Sequence, residues 1–256
     1  MTKQQTIGFI GVGALAEYTI KGIRRGGYTG RILLSPRNQL MAAQLAATHQ
    51  CEVMESNQSV ADNCDQLILS TRPADCIDAL GELNLKPDHL LISVVAGVNI
   101  DSLRTVVGNA VSIVRAMPVS SAEAGSSPTL IYPHNDAVSK LFGFCGDSIT
   151  AQDEAEYNQG SVLACTYSWY FALFDELIKA TESESLSSPT AAKLVLGMAK
   201  GAADLALQKS AQTPGEIAES IATEGTFSKL GLDILKKDQA FEPWHEACQA
   251  LQDRLG

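Results

Sequence analysis

The stretch Thr6–Ala16, TIGFIGVGALA, constrains this chain more than any other. An apolar run, Thr6–Ile10, ends in Gly11-Val12-Gly13-Ala14-Leu15-Ala16, a G-x-G-x-x-A pattern. It passes directly into apolar residues at helical spacing: Leu15, Tyr18, Ile20 and Ile23. A buried strand followed at once by a glycine turn and a helix opens a βαβ unit. In that setting Gly11 permits the tight turn, Gly13 lets the main chain approach a pyrophosphate, and Ala16 lets helix and strand pack closely. The helix N-terminus offers free N–H groups and the positive end of its dipole. The stretch therefore reads as a dinucleotide site built on Gly11, Val12, Gly13, Ala14 and Leu15.

The rest of the first half keeps this rhythm. Strand-like segments recur at Arg31–Leu34, Cys51–Met54, Gln66–Leu69, Leu90–Val94, Ala110–Val114, Thr129–Tyr132 and Ser148–Thr150. Helical patterns cover Ala14–Arg25, Gln39–His49 and Asp136–Phe144, with helical or turn-rich stretches between the other strands. The fold class expected is α/β: an N-terminal Rossmann-type parallel sheet with helices on both faces, then an all-α C-terminal domain.

After about residue 151 the strand signals stop. Gln152–Ala180 reads as one long helix or two broken ones. Ser188-Pro189 is a helix start, a hydroxyl N-cap followed by proline at the first helical position, and that helix runs to about Ser210. Thr213-Pro214-Gly215-Glu216 is a capping box, and Glu242–Leu255 forms a last helix. The expected domains are 1–150, binding the nucleotide, and 151–256, helical. Aromatic residues crowd the long helix at Trp169, Tyr170, Phe171 and Phe174, and they must bury themselves in the core or on a partner subunit.

The end of the second strand decides which dinucleotide fits. The sequence there is ILLSPRN, Ile32–Asn38, with no acid to accept a ribose 2′-hydroxyl. Ser35 can donate to a 2′-phosphate, and the forked guanidinium of Arg37 can neutralise it. NADPH is expected over NADH. The crevice loops at the strand ends are Ser70-Thr71-Arg72-Pro73, Val95-Ala96-Gly97-Val98 and Met117-Pro118, and Arg72 is the only strong charge among them.

Bulk properties exclude several classes. The net charge is -10, from 19 Lys+Arg against 29 Asp+Glu, which leaves no basic face for nucleic acid. No apolar run of membrane-spanning length occurs, and the N-terminus lacks a secretory pattern, so a cytoplasmic protein is expected. The cysteines, Cys51, Cys64, Cys76, Cys145, Cys165 and Cys248, have no metal-ligand spacing and read as small buried hydrophobes in a reducing compartment. No metal is expected. The scattered His49, His89, His134 and His245 read as surface or capping residues.

Four segments in this order resemble the pyrroline-5-carboxylate reductase family: IGFIGVGALAE, SNQSVADNCDQLILSTRP at Ser56–Pro73, SVVAGV at Ser93–Val98, and RAMP at Arg115–Pro118 running on to AGSSPTLIY. The resemblance implies NADP(H) as cofactor and a homodimer or higher homo-oligomer whose C-terminal helices interleave. It assigns the cofactor to residues matching Gly11–Leu15, Ser35, Arg37 and Asn57, to Ser70, Thr71, Arg72 and Pro73, and to Val95, Ala96 and Gly97. Departures gather where substrate binds. Val119-Ser120-Ser121 stands for Asn-Thr-Pro, Arg72 for a lysine, and SVLACTYSWY for a Ser-Gly-Ser-Gly-Pro-Ala-Tyr helix start. The carboxylate-cradling loop Ser-Pro-Gly-Gly-Thr-Thr aligns with Thr223-Glu224-Gly225-Thr226-Phe227-Ser228.

The segment Val114–Gly125, VRAMPVSSAEAG, holds no histidine or lysine, and its one acid, Glu123, reads as solvent-facing. Hydride transfer to a carbon–nitrogen double bond accounts for so sparse a site, because the cofactor carries the hard chemistry. A carbonyl reductase would need a strong acid for the developing alkoxide. Met117 and Pro118 would wall the nicotinamide slot. Ser120, Thr223, Gly225, Thr226 and Ser228 would hold the substrate, with Thr226 and Ser228 as the catalytic hydroxyls. The expected reaction is NADPH-dependent reduction of the imino acid pyrroline-5-carboxylate to L-proline. The alternatives are an imine or ketone reductase of another substrate and a dinucleotide-binding regulatory paralogue.

Overall fold

The computed structural model describes residues 5–255. The described residues form two compact units, one of residues 5–164 with 252–255, the other Cys165–Leu251. The division thus falls inside a helix rather than at the loop after residue 150.

The first unit is built on one sheet. Its strands are β1 (Ile7–Ile10), β2 (Ile32–Leu34), β3 (Glu52–Val53), β4 (Gln66–Leu69), β5 (Leu90–Ser93), β6 (Ser112–Met117), β7 (Thr129–Tyr132) and β8 (Ser148–Thr150). They lie in the order β3-β2-β1-β4-β5-β6-β7-β8. The first six run parallel, with Phe9 beside Leu34 on one side and Ile68 on the other. The parallel arrangement expected holds as far as β6 and changes at the far edge of the sheet. There β7 runs antiparallel to β6, Ala116 opposite Ile131, and β8 follows β7. The cause is the connection from β6, which holds only a 3₁₀ turn, Ser120–Ala124, and no crossover helix to carry the chain back.

The helices of this unit are α1 (Ala14–Arg25), α2 (Gln39–His49), α3 (Asn57–Asp62), α4 (Pro73–Gly81), α5 (Ile100–Val107) and α6 (Asp136–Phe142). Successive strand residues point to opposite faces and feed two cores. Phe9, Ile68 and Ile92 join Ile20, Ile23 and Phe142 on one face. Ile10, Leu67, Leu69 and Leu91 join Val60, Leu80 and Leu103 on the other. Each such side chain, removed from water, contributes about 1.5–3 kcal/mol. On the first face α1 lies so close to the 3₁₀ turn that a Cβ on Gly22 would sit 2.2 Å from the Ala122 carbonyl oxygen. Because β1 has β2 on one flank and β4 on the other, the strand order reverses there, and the crevice opens at the C-terminal ends of β1 and β4.

The second unit is helical. Its helices are α7 (Glu154–Thr181), α8 (Ser188–Gln208), α9 (Pro214–Ile221), α10 (Phe227–Lys237) and α11 (Glu242–Leu255), the first and last of which reach into the first unit. The long helix α7 is one unbroken element. The cap before α8 is Ser187 rather than Ser188 and makes no side-chain bond to a backbone N–H. The Thr213–Glu216 capping box forms as expected. Trp169 and Trp244 stack edge to face, centroids 5.8 Å apart.

Among its described residues only Thr166, Ala191, Ile217 and Ala222 are buried, whereas Leu194, Met198, Leu207, Leu230 and Ile234 are exposed. Tyr170 and Phe171 of the aromatic cluster are also exposed. A helical unit with so little core of its own presents an apolar face that needs covering. Among the described residues no helix is long and apolar enough to cross a membrane.

Candidate active site

The chain turns sharply out of β1. Gly11 has φ +89, and a Cβ there would lie 2.7 Å from the Ser70 carbonyl oxygen and 2.9 Å from the Thr71 nitrogen. The first glycine of the motif is therefore fixed both by its left-handed backbone and by the β4–α4 loop pressed against it. Gly13 is different: it is the N-cap of α1, makes no side-chain cap, and a Cβ there would meet nothing within 4 Å. The turn is braced from β2. Ser35 Oγ accepts the Gly11 N–H at 3.0 Å, and Asn38 Nδ2 donates to the Val12 carbonyl at 2.8 Å. An uncapped helix start beside a glycine turn with open space in front of it fits the pyrophosphate of a dinucleotide. Ala14 and Leu15 form the first turn of that helix.

The sequence placed Ser35 and Arg37 together on a 2′-phosphate. The structure separates them: Ser35 is 1% exposed and braces the glycine turn, whereas Arg37 stands in solvent with 72% of its side chain exposed. Arg37 Nη1 lies 3.4 Å from Asp75 Oδ2, and Arg72 Nη2 lies 3.2 Å from the same oxygen. Arg72 is the N-cap residue of α4 and Pro73 opens that helix. Thr71 keeps a buried hydroxyl oxygen without a hydrogen-bond partner. Asn57 is half-buried at the start of α3, whose cap is the hydroxyl of Ser56.

Beyond β5 the buried Val95 is followed by exposed Ala96 and Gly97, the latter at φ +70. At the end of β6, Met117 is half-buried and Pro118 buried. The half-buried Ser120 opens the 3₁₀ turn, and Ser121 Oγ donates to the Ser126 carbonyl at 3.0 Å, which is turn chemistry. Glu123 is not simply solvated as expected, since its carboxylate meets Lys21 of α1 at 3.2 Å. Hydrogen bonds donated to Glu17 and Glu123 raise the Lys21 ammonium above its ordinary value.

Arg115, two residues before Met117, is a charge inside β6 to which its sequence neighbourhood gives no role. It is 2% exposed. Its Nη1 donates to Glu154 Oε1 and to Asn158 Oδ1, both at 2.8 Å, and its guanidinium lies 4.2 Å over the Tyr157 ring. Glu154 Oε1 also accepts the Ile100 N–H at 2.9 Å, so one carboxylate ties β6, α5 and α7 together. Burial pushes the Tyr157 phenol well above its ordinary value. The sequence signal was a lone charge inside the apolar strand SIVRAM.

In the second unit Thr223–Ser228 is exposed throughout. Thr226 N–H donates to the Thr223 carbonyl at 3.1 Å, and Gly225 at φ +80 supplies the positive angle of a type II turn. Thr226 is the N-cap of α10: its Oγ1 accepts the Lys229 N–H at 3.2 Å and donates to the Thr223 carbonyl at 2.7 Å. Phe227 and Ser228, expected in a loop, instead form the first turn of α10, with Phe227 90% exposed. The spacing Phe227, Leu230, Ile234 behind a threonine cap was the available signal.

Cys51, Cys64, Cys76 and Cys145 are buried, Cys165 and Cys248 half-buried, and none of the six is in a disulfide. His89 is buried and accepts the Lys86 N–H at 3.1 Å, a capping role. No cluster of metal-ligating side chains occurs among the described residues.

Residues 6–97 match a family model described as NADP oxidoreductase coenzyme F420-dependent, and residues 157–255 match one described as pyrroline-5-carboxylate reductase dimerisation. Pyrroline-5-carboxylate reductase 2 of Bacillus subtilis is 27% identical over 249 residues, covering 92% of this chain and 88% of that protein. Pyrroline-5-carboxylate reductase of Pseudomonas aeruginosa is 28% identical over 271 residues, 98% of each. Two solved structures share the fold over nearly the whole length. They are 1-pyrroline-5-carboxylate reductase of Streptococcus pyogenes (TM-score 0.87, 22% identity, 98% of each chain) and Plasmodium falciparum pyrroline carboxylate reductase with NADP bound (TM-score 0.86, 22% identity, 100% of this chain and 98% of that one). With the braced glycine turn, the acid-free end of β2 and the core-poor helical unit, these matches make the chain similar to pyrroline-5-carboxylate reductases over nearly its whole length and mark it as an oxidoreductase with an NADP-type dinucleotide site.

Proposed function

We propose that this chain reduces the C=N bond of a cyclic imino acid, pyrroline-5-carboxylate, to give L-proline with NADPH. One observation carries the reading: the charged groups around the end of β6 are committed elsewhere. Arg115 is locked to Glu154 and Asn158, and Glu123 is held by Lys21. Met117, half-buried, and Pro118, buried, stand at the end of β6 and would wall the nicotinamide. Such a wall offers no proton donor for an alkoxide, but an iminium carbon needs none.

The glycine turn at Gly11–Leu15 would hold the pyrophosphate, Arg37 and Arg72 the 2′-phosphate end, and Ala96, Gly97 and Met117 the nicotinamide half. The bound cofactor supplies a hydride. Met117 and Pro118 exclude water. Within the second unit the substrate carboxylate is held by the Thr223 and Ser228 hydroxyls and by the Gly225 N–H ahead of α10. Thr226 spends its own proton on the Thr223 carbonyl and positions the loop, so Ser228 is left to relay a proton from solvent to the imine nitrogen, which forms the iminium before hydride reaches its carbon. The exposed apolar face of the second unit pairs with a second copy, as a homodimer or a larger homo-oligomer. Six cysteines without a disulfide suit the cytoplasm.

A second reading, a reductase of a bulkier or less acidic imine or ketone on the same scaffold, is favoured by Glu224 and Phe227, both exposed in the cradle loop. Steady-state turnover separates the two. Pyrroline-5-carboxylate should drive NADPH oxidation near neutral pH, and L-proline should drive NADP⁺ reduction at high pH. NADPH binding without turnover of either would overturn the proline reading.

A further inference from the structure

The dinucleotide site carries a fixed carboxylate where an anion is meant to bind. Asp75 stands in the first turn of α4, and its Oδ2 takes Arg37 Nη1 at 3.4 Å together with Arg72 Nε and Nη2, each at 3.2 Å. The two guanidinia arrive from different loops, after β2 and after β4, and converge on one oxygen. We infer that Asp75 is an internal competitor for the 2′-phosphate, and that Arg72 is the second cation of the subsite Arg37 begins. This rests on the NADP reading of the site.

The asymmetry in exposure supports it. The side chains of Arg37 and Arg72 are 72% and 79% exposed, that of Asp75 only 29%. The carboxylate stays where the helix holds it, favoured by the positive end of the α4 dipole. The arginines are long and free to swing, and exposed ion pairs hold them weakly. A phosphate with three oxygens and two charges takes both guanidinia from a single carboxylate oxygen. Asp75 remains beside it and repels it. Repulsion of a dianion by a fixed carboxylate a few ångström away amounts to about tenfold in affinity even in a water-like dielectric. Holding the exposed arginines ready beforehand returns less than that.

The test is calorimetric binding of 2′,5′-ADP and of 5′-AMP, at low salt, to the full-length wild type, Asp75→Asn and Arg72→Ala, with a thermal melt to show that each variant is folded. Asp75→Asn should bind 2′,5′-ADP about five- to tenfold more tightly with 5′-AMP unchanged. Arg72→Ala should bind 2′,5′-ADP about tenfold more weakly, again with 5′-AMP unchanged. Equal or weaker binding of 2′,5′-ADP by Asp75→Asn overturns the competitor role while the NADP reading stands. A wild type that binds 2′,5′-ADP no better than 5′-AMP overturns the NADP reading and the inference with it.

Discussion

Arg115 Nη1 and Glu154 Oε1 meet at 2.8 Å across 39 residues of sequence, the arginine side chain 2% exposed and the glutamate 28%. The pair fixes the start of α7 against β6, the strand that ends at Met117. Its two halves are unequal: removing the carboxylate strands a buried cation, whereas removing the cation leaves an acid that can turn toward water.

Glu154→Ala should therefore cost more than Arg115→Met. A fully buried pair broken on one side loses about 3–5 kcal/mol, and the partial exposure of Glu154 brings this to about 2 kcal/mol. For a chain of this size that is about a 4–8 °C fall in Tm, read by circular dichroism. Equal falls for the two variants would show that the network is not what anchors α7.

The two glycines of the turn should respond oppositely to alanine. Gly11→Ala puts a Cβ into the Ser70 backbone at φ +89, and should cost about 1–3 kcal/mol of stability as well as NADPH binding. Gly13→Ala has open space and φ -105, so Tm should hold while NADPH affinity drops, as followed by cofactor fluorescence. Unchanged NADPH affinity in Gly13→Ala would mean that the dinucleotide does not lie across the start of α1.

Burial pushes the Cys51 thiol up to about 11 and those of Cys64 and Cys145 up to about 12, from an ordinary value of 9.0. A thiol kept protonated only in the folded chain stabilises it fully below the unfolded value, and that stability is lost as pH climbs from about 9 toward the folded value. Between pH 9 and 10 each such thiol costs about 1 kcal/mol. Urea midpoints should fall over that interval, and less in Cys64→Ala/Cys145→Ala than in the wild type. A disulfide-exchange reagent at pH 8 should leave the three thiols untouched until denaturant is added.

Thr226 joins a cap to a cradle. Thr226→Val should lose about 1 kcal/mol of α10 stability and raise KM for the imino acid, with NADPH affinity intact. Thr226→Ser should restore both. A KM unmoved by valine would place the substrate carboxylate away from this loop.

Where local chemistry decides structure, the sequence was legible. The limits of α1 and α2 follow from Gly13, from Asn38 accepting the Met41 N–H, and from apolar spacing. The direction of β7 was not legible, because a strand's composition does not encode which way its neighbour runs. The burial of Ser35 was not legible either, because it depends on the packing of β2 beside β1. Arg115 was passed over because its partners lie about forty residues away and nothing near it in sequence announces them. The start of α10 was hidden differently: its apolar spacing was present, but alignment to a cradle loop led Phe227 and Ser228 to be read as coil.

The most direct test of the central claim follows the hydride itself. The full-length protein would be given pyrroline-5-carboxylate and NADPH deuterated at C4 of the nicotinamide, and the proline formed examined by mass spectrometry and NMR. One deuterium at C5 of L-proline, at the carbon that was the imine carbon, is the predicted result. Proline without label, or no proline from a sample shown to bind NADPH, would contradict the account.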